Sequence, residues 1–326
     1  MQRRTLLSAL AAAGATTAAP WALAQQAAWP DQPLRWVVPY PAGGGTDVLA
    51  RTVAEAMRQT LGQQIIVDNR PGASTNIGGQ AVATAKPDGY TFMSADNAIL
   101  AYNEHLFTKL PFNPEKDFTY VGGISRFPLA LVVHPSFEAK TVKESLDYAR
   151  ANPGKLNYAS PGNGSPHHLA MEMFKHRTKS FITHIPYRGA APALQDVMGG
   201  QVPCMFLDLA AGLPVITSGK VRALAIGSAK RVAALPDVPT LAEAGVPNTE
   251  VFAFQGILAP AGLPAAITAR LNGDLNKALL NPAVVKRMND FGMEALPGTP
   301  EQFRAMARSE SKRWGEIIKA AGVKLD

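Results

Sequence analysis

Pro39-Tyr40-Pro41-Ala42-Gly43-Gly44-Gly45-Thr46-Asp47 joins an apolar run, Leu34 to Val38, to an amphipathic run, Asp47 to Leu61. The first run reads as a buried strand and the second as a helix, with Leu49, Val53, Met57 and Leu61 on one stripe and Gly62 as its stop. Three consecutive glycines at such a junction leave backbone N–H groups bare at a helix N-terminus, where the helix dipole favours an anion. The same glycines also suit ordinary turn chemistry. No Gly-Lys-Ser/Thr follows, and the spacing of a dinucleotide fingerprint fails at its last glycine. Asp47 would repel an anion if it faced one, so its carboxylate is expected to turn back onto backbone N–H groups.

The alternation continues along the chain. Further strands are expected at Gln64–Asp68, Tyr90–Ser94, Leu129–Val133, Leu156–Ala159, Phe181–Pro186, Cys204–Asp208 and Arg222–Gly227, with helical patterns between them. Thr141 with Glu144 forms a capping-box pattern, and Pro264–Asn281 and Pro300–Ala320 read as later helices. This is an α/β chain with mostly parallel sheets and helices on both faces. Tyr120–Phe127, with its Gly-Gly pair, and Ala229–Glu250, rich in Pro and Ala, read as crossings between domains. They divide the chain into a discontinuous lobe I, 25–125 plus 250–326, and a lobe II, 126–249. Two crossings frame a cleft able to open and close.

A second junction mirrors the first. In Ala159-Ser160-Pro161-Gly162-Asn163-Gly164-Ser165-Pro166-His167-His168-Leu169, Ser165 suits a helix cap and Pro166 the first helical position. Two such turns, one per lobe, would grip a carboxylate between two helix N-termini, each contributing about 0.3–1 kcal/mol when exposed and up to about 2 when partly buried. Other polar residues stand at carboxyl ends of expected strands, where open sheets bind ligands: Ser94 to Asn97, Tyr187 with Arg188, and Asp208. Asp208 selects a ligand amine or hydroxyl, or caps the next helix. Arg188 pairs a distal carboxylate or is a surface charge. His167 shapes the pocket rim or the helix start.

Enzymatic patterns are lacking. Ser165 with His167 or His168 has no Gly-x-Ser-x-Gly elbow, which leaves a secreted serine hydrolase as a poor alternative. The six histidines show no metal spacing, and no metal or cofactor is expected. Cys204, the single cysteine, sits in an apolar strand and excludes an intrachain disulfide.

The first residues describe export. Arg3 and Arg4 precede an apolar stretch from Leu6 to Ala15, and Ala22-Leu23-Ala24 is a small-x-small cleavage site, giving a signal peptide over 1–24 cut before Gln25. The arginine pair fits twin-arginine or general secretory export. The formal charge of the whole chain is +7, and removing the signal leaves 30 basic against 25 acidic residues, interspersed and without a polybasic run. That balance does not suit nucleic-acid binding. The expectation is a monomer in the periplasm.

Six motifs, in order, resemble the Bug-family solute receptors of tripartite tricarboxylate transporters: the first glycine turn; Asn69-Arg70-Pro71-Gly72-Ala73; Lys86-Pro87-Asp88-Gly89-Tyr90-Thr91; Gly162 to Leu169; Pro186-Tyr187-Arg188-Gly189; and Ala259-Pro260-Ala261-Gly262-Leu263-Pro264. The resemblance spans the mature chain. It implies a two-lobed type II periplasmic-binding-protein fold and a small carboxylate held partly through bridging waters. It also implies delivery to membrane permease subunits; presentation of the ligand to a sensory ectodomain is the alternative. By position, the ligand contacts fall on Ala42, Gly43, Gly44, Gly45 and Thr46 and on Gly164 and Ser165, with Tyr40 and Asp47 in the same turn. Asn97 and Asp208 fall where such receptors vary with ligand. Three departures stand out. Phe254 replaces a common Trp, polar residues in Asn69-Arg70-Pro71-Gly72-Ala73-Ser74-Thr75 replace a commoner glycine run, and Asp208 stands one position after the usual acid.

Overall fold

The computed structural model describes residues 29–43, 45–290 and 292–325. The expected signal peptide and Gly44 lie outside the described residues. In chain order the elements are β1 (Leu34–Val38), α1 (Gly45–Leu61), β2 (Ile65–Asn69), α2 (Asn76–Ala83), β3 (Thr91–Asp96), α3 (Asn103–Leu106), β4 (Phe118–Val133), α4 (Val142–Ala151), β5 (Asn157–Ser160), α5 (Pro166–Thr178), β6 (Thr183–Pro186), α6 (Ala190–Met198), β7 (Cys204–Asp208), α7 (Leu209–Thr217), β8 (Arg222–Ile226), β9 (Phe252–Pro260), α8 (Ala265–Leu279), α9 (Pro282–Asp290), β10 (Glu294–Ala295) and α10 (Pro300–Ala321). Among the described residues, no helix is long and apolar enough to cross a membrane.

The strands run in the order β2-β1-β3-β9-β4-β7-β5-β6, with β8 and β10 also paired to β4. The outer pairs are parallel (β1 with β2 and β3, β5 with β6 and β7), and every pair made by β4 or β9 is antiparallel. β4 is the spine of the molecule. Its residues 118–128 pair with β9, and its residues 129–133 pair with β7 and β8. One 16-residue strand therefore serves both halves of a two-lobed fold. Tyr120–Phe127, read from sequence as a crossing between domains, lies inside this strand. Its glycines serve packing: a Cβ on Gly122 would meet Asn272 Nδ2 at 2.8 Å, and one on Gly123 would meet Leu296 Cβ at 3.0 Å. They let α8 and the segment before α10 lie directly on the sheet.

Helices cover both faces. α1 and α8 bury Leu49, Val53, Met57, Leu271 and Leu275 against Trp36 and Ile257. α5 and α10 bury Leu169, Phe174, Trp314 and Ile318 on the opposite face. A smaller core of Met205, Leu207, Ala193 and Val197 lies under α6 and α7. The capping signals act as the sequence suggests. Thr141 accepts the Glu144 N–H, Ser165 accepts the His168 N–H with Pro166 at the first helical position, and Thr299 with Gln302 closes a reciprocal box.

Candidate functional site

Two carboxyl edges meet at the spine. β1 and β3 are adjacent and parallel, so the turn after Val38 and the end of β3 at Asp96 share one edge. β5 and β7 likewise bring the turn after Ser160 beside Asp208. The register joins the two edges: Asp96 opposes Gln255, Gln255 opposes Ser125, and Leu129 opposes Asp208. Four residues of β4 separate the edges, roughly 13 Å at about 3.3 Å per residue. Both glycine-bearing turns thus open toward the stretch of β4 and β9 where the chain passes between lobes, the place where open α/β sheets bind ligands.

The first turn is tied by charge. Asp47 is 3% exposed. Its Oδ2 accepts the Gly43 N–H at 2.9 Å, its Oδ1 accepts Asn69 Nδ2 at 3.0 Å, and Arg51 donates to both oxygens at 3.1 Å. Asn69 also donates to the Tyr40 carbonyl at 3.0 Å, stitching both ends of the turn. Burial pushes the Asp47 carboxyl up, but the bonds from Arg51, Gly43 and Asn69 outweigh it and hold it below its ordinary value. The carboxylate is turned back into the loop, as its position demanded. Pro41, Ala42, Gly43 and Gly45 are exposed, Thr46 is half-buried, and the N–H groups of Gly45 and Thr46 have no partner among the described residues. Tyr40 donates its hydroxyl to Asp96, whose carboxyl is pushed up by burial and only partly brought back by that bond. Asp96 was not singled out in the sequence from the run Ser94 to Asn97.

The neighbouring turn after β2 is strained. Ala73, Ser74 and Thr75 have φ of 46°, 50° and 76°, left-handed values that non-glycine residues rarely take. Asn103, fully buried, donates to the Ser74 carbonyl and to Asn76 Oδ1, both at 2.8 Å, and pins the turn in place.

The second turn is tied without charge. Gly164, at φ 74°, donates its N–H to His168 Nδ1 at 3.0 Å. Ser165 donates its hydroxyl to the Gly162 carbonyl at 2.7 Å while capping α5. Ser160 Oγ accepts the Gly162 N–H at 3.1 Å and lies 2.6 Å from His184 Nε2. A Cβ on Gly164 would sit 2.7 Å from Leu325 Cδ1 and 2.9 Å from Leu106 Cδ1, so the turn is wedged against α3 and the C-terminal tail. The N–H groups of Asn163 and His167 have no partner among the described residues.

His167 and Asp208 come together at this edge. His167 Nε2 lies 3.1 Å from Asp208 Oδ2, and Asp208 Oδ1 accepts the Ala211 N–H at 2.8 Å as the cap of α7. Burial raises the Asp208 carboxyl, and the His167 bond and charge with the Ala211 N–H more than reverse it, leaving it below its ordinary value. The cap reading of Asp208 therefore holds, with His167 as a second partner. His167 is 8% exposed, and its Nδ1 is buried without a hydrogen-bond partner among the described residues.

Two residues singled out in the sequence are engaged elsewhere. Asn97 is fully buried; its Nδ2 donates to the Phe252 carbonyl and to Tyr102 Oη, both at 3.0 Å, and its Oδ1 accepts the Phe254 N–H at 2.8 Å. It clips β3 to the start of β9, and both of its amide hydrogens are spent there. Tyr187 donates its hydroxyl to Asp196 at 2.6 Å, and burial with that carboxylate holds the phenol up at about 12. It locks its turn onto α6, and Arg188 beside it is exposed. His168, His184 and Asn69 carry the loops, and no motif in the sequence marks that role. Their signal is spatial: His168 reaches back four residues to Gly164, and His184 lies on the neighbouring strand.

The model of the tripartite tricarboxylate transporter family receptor matches residues 49–323. The chain belongs to this family. It is 36% identical over 298 residues to Protein BugT of Bordetella pertussis, covering 91% of each chain. A solved R. palustris protein with adipate superposes at TM-score 0.85 and 36% identity, covering 91% of this chain and 99% of the other. MatC from Rhodopseudomonas palustris with bound malate superposes at TM-score 0.80 and 34% identity, covering 89% and 99%. This receptor thus has the two-lobed periplasmic-binding-protein fold that its motifs implied, and a solute-binding role with it.

Proposed function

We propose that this receptor captures a small organic carboxylate between its two carboxyl edges in the periplasm and delivers it to the membrane subunits of a tripartite transporter. The carrying observation is the pairing of two β-to-α turns across the β4–β9 passage, each with unpartnered first-turn N–H groups, beside a buried His167 Nδ1 that also has no partner. Turns of this kind accept carboxylate oxygens, and bridging waters extend their reach. The adipate and malate bound by the two solved relatives belong to the class of ligand such turns would take. The ligand contacts are assigned to Ala42, Gly43, Gly44, Gly45 and Thr46 from lobe I, and to the Asn163–His167 turn from lobe II. Lobe I comprises 25–125 plus 250–326 and lobe II 126–249, with export directed by residues 1–24. Binding and release need no covalent step, so the protein works without catalysis and as a monomer.

Micromolar affinity needs about 8 kcal/mol net, within reach of two helix ends and several charge-assisted hydrogen bonds of about 1.5–3 kcal/mol each. Thermal-shift titration of the mature chain against a panel including adipate, malate, amino acids and aromatic acids tests the reading. At least one acid is expected to raise the midpoint in a concentration-dependent way. A flat response across the panel would sink it.

A further inference from the structure

The loop in lobe II rests on a stack of three rings. His168 and His184 lie face to face, 4.1 Å between centroids and 10° between planes, and Tyr158 continues the stack over His184 at 4.7 Å and 17°. Each imidazole holds one side of the loop. His168 Nδ1 accepts the Gly164 N–H, so this nitrogen carries no proton. His184 Nε2 abuts Ser160 Oγ, the atom that accepts the Gly162 N–H.

We propose that His168 and His184 are positioning residues for the second binding loop, and that they make carboxylate capture proton-linked, so that acid loosens the loop and releases the ligand. This rests on the capture reading above. A proton on His168 Nδ1 removes the acceptor of the Gly164 N–H and sets two donors against each other. A charge on either ring also opposes a charge on the other across 4.1 Å. Of the groups facing the pair, Glu172 favours the charged form, and Lys175 and burial oppose it. From α5, Glu172 lies 3.9 Å from His168 Nε2 but is already engaged by the Tyr158 hydroxyl and Lys175, each at 2.7 Å. Lys175 sits over the Tyr158 ring at 5.7 Å. From β5 comes Tyr158 itself, and from β7 the buried thiol of Cys204. Among the described residues of α10, which packs on α5, no charge acts on either ring. Burial above all depresses the two imidazoles, to about 4 each, His184 adding to the effect on His168.

The test compares the wild type with His168→Asn, whose Oδ1 stands where Nδ1 stood and takes no proton, and with His168→Ala, which leaves the Gly164 N–H without an acceptor. Dissociation constants for malate and for adipate are measured by calorimetry from pH 7.5 to 4.0, with circular dichroism confirming that each variant stays folded. At pH 7.5 the Asn variant is expected to bind like the wild type and the Ala variant at least about tenfold more weakly, a loss of the size of one hydrogen bond. Between pH 7.5 and 4.0 the ratio of wild-type to Asn-variant constants is expected to rise about twofold, the ligand's own ionisation cancelling in the ratio. A constant ratio, or equal binding by the Ala and Asn variants, overturns the proposal. Imidazole ¹⁵N spectra of the ligand-free protein at pH 6 decide it independently: both rings are expected neutral with His168 protonated at Nε2, and a charged ring or a proton on Nδ1 overturns it. Absence of binding by the wild type at pH 7.5 counts instead against the capture reading and leaves the spectra to judge the loop.

Discussion

The two glycine-bearing turns share a strand-to-helix form and differ in what holds them. The lobe I turn is exposed, and its conformation is set by an ionised carboxylate, Asp47, with Arg51 and Asn69 as partners. The lobe II turn is wedged against Leu106 and Leu325 and held by neutral hydroxyls and imidazoles. The first is fastened by electrostatics and tolerates added bulk. The second is fastened by packing and is sensitive to protons. A carboxylate gripped by both, as proposed above, would experience two differently regulated halves.

Substituting the matched glycines exposes that difference most strongly. Gly164→Ala meets two leucine methyls below 3.0 Å as well as a φ of 74°, and is expected to cost about 3 kcal/mol. Gly43→Ala has a φ of 81° but no atom within 4 Å of its Cβ, and is expected to cost about 1 kcal/mol. Urea unfolding midpoints check both, and equal losses would erase the contrast.

Acid should separate the turns next. A histidine whose folded pKa is depressed contributes stability that is complete above its unfolded value of about 6.5 and is lost as pH falls toward the folded value of about 4. The imidazole pair should therefore lose on the order of 3 kcal/mol across that window, less than the sum of two rings because loosening the loop for one relieves the other. Asp47, whose folded pKa is lowered, keeps its contribution above the ordinary carboxylate range and loses it only as pH falls through and below that range. Stability measured by denaturant between pH 7.5 and 4 should slope downward, and His168→Asn should flatten the slope.

Removing the charge that orders the first turn comes third. Asp47→Ala strands the Gly43 N–H, Asn69 and Arg51, at an expected cost of about 2 kcal/mol. Amide exchange should quicken at Gly43 while remaining slow at Gly164; quickening at both would mean the loops are ordered together. The smallest effect has the opposite sign. Ser74→Gly relieves a φ of 50° and should stabilise the protein by about 1 kcal/mol.

Local chemistry was legible in the chain. The strand Leu34–Val38, the stop at Gly62, the Ser165 cap with Pro166 and the inward turn of Asp47 follow from neighbours within a few residues. What escaped depends on distant partners. β9 carries no helical or alternating signature, because a central antiparallel strand is apolar on both faces. The Gly122-Gly123 pair reads as a break until Asn272 and Leu296 are seen pressing on it. Asn97 looks like a ligand residue at a strand end until β9 arrives to consume its amide. Gly164 looks like a free donor until an imidazole four residues later takes its N–H.

Sharing β4 between both sheets also governs how the molecule comes into being. Its long partner β9 lies more than a hundred residues downstream, so the half built on residues 118–128 cannot seal its interior until the chain has been made through Pro260. Long-range pairing of this kind slows folding. A polypeptide threaded outward from its N-terminus would stay unfinished, and fit for translocation, for most of its passage.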